Sequence, residues 1–304
     1  MNIKQLNQTY AFENESGFLR VIESAGGIPV VEVKNAQASA KISLQGAHLL
    51  SWVPQGEDEV IWLSKDARFE PGKSVRGGIP VCWPWFGASE VDTAYPAHGF
   101  ARTVFWQLSQ VKAISADETQ IIFRLETDKI TDNKNTQKMW PYSSLLEYII
   151  TLGKTLSLEL ITYNNSSSEI IISEALHTYF NVGDITQTSV KGLDKKTYLD
   201  KPDNFKRKIQ NSSITVNSEV DRVYLNTTDD VVIENKNRKI KIKKQGSLST
   251  IVWNPWKAVA EKMADLGEGG YLQMLCVESG NAAENSIAVK AGESHRLQVE
   301  YTVC

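Results

Sequence analysis

The sequence predicts an all-β protein, a large antiparallel β-sandwich with one or two short helices, and three observations carry that prediction. Short runs rich in β-branched and aromatic residues recur along most of the chain, bounded by polar or glycine clusters. Strand-like runs nowhere alternate with helical stretches of ten or more residues, as a parallel α/β sheet would require. Two pairs of runs are joined by short turn segments suited to hairpins. At 304 residues the chain is long enough for two domains. β-Sandwiches, however, run past roughly 200 residues as single units. No Pro- or Gly-rich linker and no internal repeat divides the chain, so one domain over residues 1–304 is expected.

The strand signals begin with Val30–Lys34 and Ala38–Leu44, break at Gly46, and resume with Ala47–Val53 and Glu59–Leu63. Thr103–Leu108 and Gln120–Leu125 follow. Leu145–Thr151 and Thr155–Tyr163 face each other across Leu152-Gly153-Lys154, and Leu156, Leu158 and Leu160 alternate with Ser157, Glu159 and Ile161, the period of a half-buried strand. Glu169–Ile172 runs into Ser173-Glu174-Ala175-Leu176-His177-Thr178-Tyr179-Phe180, which ends at the turn signal Asn181-Val182-Gly183-Asp184. Val231–Glu234 and Lys239–Lys243 form a second hairpin across Asn235–Arg238. Alternation with isoleucine puts its lysines on one face, where they read as edge-strand guards against unwanted pairing. Leu248–Trp253, Tyr271–Val277, Ser286–Val289 and His295–Val303 complete the set. The clearest helix is Ala258–Leu266, stopped by Gly267.

Composition narrows the function classes. A formal net charge of −3 gives no electrostatic footprint for nucleic acid. Three cysteines, Cys82, Cys276 and Cys304, have no C-x-x-C spacing, which argues against a disulfide framework and a structural zinc site. The N-terminus lacks an apolar signal region and no run reaches the length of a membrane span, so a cytoplasmic location is expected. Gly72-Lys73-Ser74 fails as a phosphate loop because Ala67 stands where the first glycine belongs. Gly267-Glu268-Gly269-Gly270 fails as a dinucleotide turn because Leu272 replaces its last glycine.

Several residues could carry chemistry. His177 lies near the end of a buried strand; it reads either as a hydrogen-bonded core histidine or as a proton donor near neutral pH. Arg76 adjoins Gly77-Gly78, where the backbone can approach a ligand closely, and Arg102 follows His98-Gly99 after a short loop. Each arginine alone reads as a surface salt bridge, and Trp83, Trp85 and Phe86 alone read as core. Together, two planar guanidinium forks with aromatic faces between them suit an anionic sugar. Glu278 closes an apolar strand, where an unpaired carboxylate is costly. It is a buried salt-bridge partner, a turn cap, or a base working beside His177. Asp221 reads equally as a sugar hydrogen-bond acceptor and as a polar residue starting a strand.

Arg76-Gly77-Gly78-Ile79-Pro80, His98-Gly99-Phe100-Ala101-Arg102, His177-Thr178-Tyr179-Phe180, Asp221-Arg222-Val223-Tyr224 and Glu278-Ser279-Gly280-Asn281 occur in the order found in hexose-6-phosphate mutarotases. In these motifs the chain resembles that branch of the galactose mutarotase-like superfamily, also called glucose-6-phosphate 1-epimerases. The resemblance implies a sandwich with a concave sugar-binding face. It implies His177 as general acid, Glu278 as general base, Arg76 and Arg102 as phosphate ligands, Asp221 near the sugar hydroxyls and His98 as a further substrate contact. Ala97 departs from the glutamine that some relatives carry before the His-Gly pair, which puts one sugar or phosphate hydrogen bond in doubt.

The implied activity is exchange of the α and β anomers of glucose 6-phosphate by ring opening and reclosure. Only protons move, so no cofactor and no metal are expected. The expected partner is a small sugar phosphate, with neither nucleic acid nor membrane, and a monomer is expected. Three alternatives stay open: an aldose 1-epimerase for unphosphorylated sugars, a non-catalytic carbohydrate-binding module, and a glycoside hydrolase in which Asp221 and Glu278 form the usual carboxylate pair.

Overall fold

A computed structural model describes residues 2–304 of the protein. Its strand ladders are antiparallel throughout. Five strands, Phe12–Asn14, Gly17–Glu23, Pro29–Lys34, Ala38–Ser43 and His48–Pro54, form a meander in chain order. A nine-stranded sheet runs in the order Ile214–Thr215, Ser189–Lys191, Val231–Glu234, Lys239–Gln245, Ser294–Val303, Thr155–Asn164, Ser144–Leu152, Thr119–Glu126 and Gln107–Ala113. The sheet that holds the site runs Lys206–Ile209, Thr197–Asp200, Val220–Leu225, Ser249–Asn254, Met274–Asn281, Glu174–Leu176 and Val81–Cys82, with Tyr179–Asn181 also paired to Met274–Asn281. Ile170–Ile172 and Ile287–Val289 make a small separate pair.

Side-chain alternation explains the layering. Along Ser144–Leu152 every second residue is buried, so Leu146, Tyr148, Ile150 and Leu152 face the core. Leu156, Leu158 and Leu160 join them from the next strand, and Leu297, Val299 and Tyr301 from the one beyond. Met274–Asn281 differs, because all eight of its residues are buried. One of its faces carries Leu275 and Val277 into the main core, while the other carries Cys276 and Glu278. The two large sheets meet next to His177. There the hydroxyls of Thr178 and Tyr301 lie 2.6 Å apart, and the Phe180 and Tyr301 rings meet edge to face at 5.1 Å.

Several expectations need correction. The helix expected at Ala258–Leu266 spans Trp256–Ala260 only, and the residues after it fold as turns. An unexpected helix, Ile3–Tyr10, is capped by the Asn2 side chain and packs Ile3, Leu6 and Tyr10 on the core at helical spacing. The strand expected at Thr103–Leu108 begins at Gln107, and Glu59–Leu63 makes only isolated bridges, Ile61 to Phe180 and Leu63 to Gly77. Lys239–Gln245 is an interior strand, so its lysines guard no edge. On its outer face Lys239 pairs with Glu234 and Lys241 with Asp230, each at 2.8 Å. Glu278 lies inside its strand rather than at the end, because the ladder runs on to Asn281.

Candidate active site

Consecutive strands of one sheet each supply a side chain to a single cavity of about 240 Å³. The ladder pairs Leu176 with Ser279, so the next step sets His177 against Glu278. Ile251 is the partner of Glu278, and Trp253 is the partner of Asp221. Lys201 follows the strand Thr197–Asp200, whose Asp200 pairs with Arg222, and so comes alongside Asp221. Arg76, Phe86, His98, Arg102 and Tyr179 close the cavity from the loops. All six residues singled out in the sequence, Arg76, His98, Arg102, His177, Asp221 and Glu278, therefore line one space. Other cavities of about 490 Å³ lie elsewhere on the protein, but none of them brings a histidine and a buried carboxylate together.

The loops are fixed by backbone bonds and by glycine. Pro80 and Gly78 carbonyls accept from the amides of His177 and Tyr179, tying the Arg76 loop to the break at His177-Thr178 between the strands Glu174–Leu176 and Tyr179–Asn181. Gly77 has φ +104°, and a Cβ there would lie 2.6 Å from the Trp62 carbonyl, so glycine is required for the close approach. The Gly77 carbonyl accepts from His48 Nε2 at 2.8 Å; burial holds His48 down to about 4, which keeps this histidine neutral.

His177 Nδ1 and Glu278 Oε1 are 3.4 Å apart without the alignment of a hydrogen bond. His177 Nδ1 and Glu278 Oε2 have no partner among the described residues, although both side chains are buried. Desolvation pushes the Glu278 carboxyl well above the usual carboxylate range, with Lys201 opposing the shift and Asp221 adding to it. Desolvation pushes His177 well below its usual value, helped by His98, Arg102 and Arg76. The His177 ring stacks on Tyr179 at 4.9 Å and meets Trp253 edge-on at 6.0 Å, which fixes its plane.

The cations are held differently. Arg76 Nε lies 3.2 Å from Asp265, and its Nη1 donates to the Tyr179 hydroxyl at 2.9 Å. Burial works against the Arg76 charge, but these two partners outweigh it and raise its pKa. Arg102 has no acidic partner among the described residues. Its Nη2 donates to the Ala97 carbonyl at 2.8 Å, and its Nε is buried and unpartnered. Because Ala97 acts through its backbone here, the missing glutamine side chain does not affect this bond. His98 Nδ1 accepts from the Gly87 amide at 3.3 Å, leaving the ring proton on Nε2. Desolvation and the neighbouring Arg102, Lys201 and Arg76 hold His98 down to about 3, so it is a neutral donor.

The aromatic lining differs from the expectation. Trp83 is fully buried against Phe100 and Trp140, and Trp85 stacks on Tyr95. Of the three expected aromatics only Phe86 faces the cavity, where Tyr179 and Trp253 join it. Sequence reasoning also missed Lys201, whose Nζ lies 3.1 Å from Asp221 Oδ1 and 5.6 Å from the Phe86 ring centre. No local sequence pattern marks it, since the strand Thr197–Asp200 that positions it is seen only in the structure. His177, Cys276 and Glu278 offer ligand atoms within 4.8 Å of one another, the arrangement closest to a metal site. Burial raises both the Cys276 thiol and the Glu278 carboxyl toward their neutral forms.

Residues 29–302 match the sequence profile of the family described as "Aldose 1-epimerase". A protein of Escherichia coli strain K12 named "Putative glucose-6-phosphate 1-epimerase" is 39% identical over 274 residues, 89% of this chain and 89% of its own length. A Salmonella typhimurium protein of the same name is 36% identical over 280 residues, 91% of this chain and 90% of its own. The solved structure of a "putative mutarotase" from Salmonella typhimurium superposes with a TM-score of 0.86 at 32% identity, over 99% of both chains. A pocket that joins a buried imidazole to a buried carboxylate is the equipment that opening and closing a sugar hemiacetal calls for, and the chain belongs to the aldose 1-epimerase family of isomerases, which interconvert sugar anomers.

Proposed function

We propose that the protein exchanges the α and β anomers of hexose 6-phosphates, glucose 6-phosphate among them. One observation carries the proposal: the 3.4 Å approach of His177 Nδ1 to Glu278 Oε1 in a cavity that also holds Arg76 and Arg102. The names of the curated relatives support the same substrate.

In this reading Glu278 takes the proton from the C1 hydroxyl as the O1 electrons close the C1=O1 double bond. The C1–O5 bond breaks, and O5 takes its proton from His177. Rotation about C1–C2 presents the other carbonyl face. Reclosure with the proton roles reversed gives the other anomer and returns both residues to their starting state. Substrate also prepares the acid. Arg76 and Arg102 help to hold His177 neutral, and a phosphate placed on them offsets that positive potential. A bound phosphorylated sugar thus makes the imidazolium less costly, although desolvation and His98 still oppose it. Trp253, Tyr179 and Phe86 offer apolar ring faces to the C–H face of a pyranose.

Anomer-exchange NMR on pure α-glucose 6-phosphate tests the chemistry. His177→Ala and Glu278→Gln are each expected to lower kcat by about 10²–10⁴-fold. Exchange at the wild-type rate in either variant would remove that residue from the mechanism. Arg76→Ala tests the substrate: kcat/KM on glucose 6-phosphate should fall about 10- to 100-fold, the worth of a charge-assisted hydrogen bond. The loss on free glucose should be much smaller, and equal losses on the two sugars would favour an epimerase for unphosphorylated sugars.

A further inference from the structure

We propose that Lys201 is a substrate-binding residue which, together with Asp221, recognises the hydroxyl edge of the sugar ring rather than its phosphate. The inference rests on the proposed anomerase reading of the same pocket. Lys201 opens the turn Lys201–Asp203, directly after a strand whose Asp200 pairs with Arg222, and this register brings the ammonium onto the neighbouring carboxylate. Its Nζ lies 3.1 Å from Asp221 Oδ1 and 3.2 Å from Oδ2. On another side it lies 5.6 Å from the centre of the Phe86 ring. Both members of the pair line the cavity, with side chains 25% and 20% exposed.

An ammonium has three N–H donors and a carboxylate about four acceptor positions, so their mutual contact leaves both with bonding capacity. Sugar hydroxyls donate and accept at once, and they can use both. A phosphate fits less well, because an oxyanion reaching Lys201 would meet a carboxylate that holds the ammonium with both oxygens, whereas Arg76 meets Asp265 through Nε alone. Arg102, by contrast, faces no acid among the described residues and keeps an unpartnered Nε.

Position along the sheet points the same way. From His177 the side chains run through Glu278 and the Ile251–Trp253 strand to Asp221 and then Lys201. Asp221 therefore stands two strands from Glu278, roughly 10 Å at the usual strand spacing. In a hexose 6-phosphate the phosphorylated carbon is attached to C5, next to O5 and hence on the acid's side of the ring. Arg76 stands on that side, bonded to Tyr179, on which His177 stacks. The hydroxyls beyond C1 extend the other way, toward the pair. Lys201 is also the neighbouring charge that most favours the ionised form of Glu278, so the same ammonium supports the base.

Anomer-exchange kinetics of Lys201→Met, with Lys201→Gln as a second variant and circular dichroism to verify folding, are read on glucose and glucose 6-phosphate. The expected result is a fall in kcat/KM of about tenfold or more on both sugars, unlike the phosphate-selective loss of Arg76→Ala. Saturation-transfer NMR with glucose 6-phosphate should show weakened contact at the C2–C4 protons and retained contact at C6. A loss confined to the phosphorylated sugar would make Lys201 a phosphate ligand and overturn the proposal, as would unchanged kinetics with an unchanged contact map. If the wild-type protein exchanged no anomers but bound the sugar, the anomerase reading would fail alone, and the contact map would still decide the role of Lys201. A wild-type protein that bound neither sugar would end both.

Discussion

Burial acts on Glu278 and His177 in opposite senses, pushing each toward its neutral form. Desolvation raises the carboxyl and lowers the imidazolium, so burial favours the neutral pair, with the proton on Glu278. The productive state, carboxylate beside imidazolium, has the same proton count and differs only in which group holds the proton. This reverses the usual assignment of a bell-shaped profile. On the acid side the first proton to leave belongs to the imidazolium, below its ordinary 6.5. The last proton leaves the carboxyl, above its ordinary 4.5, and sets the alkaline limb. Profiles of kcat/KM at two temperatures check this, because carboxyl ionisation has a small enthalpy and imidazole a large one. The alkaline limb is expected to stay nearly fixed and the acid limb to move; an alkaline limb that moved like imidazole would sink the assignment. At this scale much of the site was legible. Although taken singly each also has a structural reading, Arg76, His98, Arg102, His177, Asp221 and Glu278 each stand in a motif shared with the hexose-6-phosphate mutarotases. Lys201 does not, because Lys201-Pro202-Asp203-Asn204 reads as a polar surface turn, and only the pairing of two strands brings it onto Asp221.

The strand pair that carries the acid and the base also carries the device that spaces them. Glu174 faces Asn281, Ala175 faces Gly280 and Leu176 faces Ser279. A buried cluster locks the far end of this ladder: Asn281 Nδ2 donates to Glu174 Oε1 at 3.1 Å, and His295 Nε2 lies 3.0 Å from the same oxygen. Gly280 has no room for a methyl group. A Cβ there would lie 2.4 Å from the Glu174 carbonyl and 2.8 Å from the Ala175 Cβ. Gly280→Ala must therefore push the two strands apart, an overpacking cost of about 1–3 kcal/mol. The expected result is a lower denaturation midpoint at unchanged m-value, together with slower anomer exchange as Glu278 moves from His177. A variant of wild-type stability and rate would mean that the spacing is set elsewhere. The hairpins and most strands were readable, since period-two burial and turn residues are local properties. The edge assigned to the lysine-rich strand was not, because strand order depends on partners far away in the chain. The helix expected over Ala258–Leu266 ends at Ala260, and the turns that follow carry Asp265 to Arg76.

At the scale of the molecule, the inward positions of the nine-stranded sheet are mostly apolar, a few are neutral polar residues such as Thr162 and Asn164, and one carries a lysine. Along Lys239–Gln245 the buried residues are Ile240, Ile242 and Lys244, so a lysine occupies a place where the pattern calls for a hydrophobe. Its Nζ donates to the Thr250 hydroxyl at 2.7 Å, the Ser249 carbonyl at 2.8 Å and the Thr227 hydroxyl at 3.1 Å. Three oxygens satisfy the donors, yet burial still brings the Lys244 pKa down from 10.5 to about 7, with Asp229 only partly opposing the shift. The consequence for folding has a definite sign. Between pH 7 and 10.5 the unfolded chain holds the proton on this lysine and the folded chain has released it. The unfolded state then binds more protons, so stability rises with pH through this window. Below about pH 7 both states are protonated and the fold carries the full cost of a buried ammonium. Urea denaturation of the wild type and Lys244→Met at pH 7 and pH 9.5 isolates the effect, since other titrating groups are common to both proteins. The wild type should gain on the variant by on the order of a few kcal/mol as pH rises. Parallel pH dependences would mean that Lys244 keeps its charge inside the fold, held by the same three oxygens.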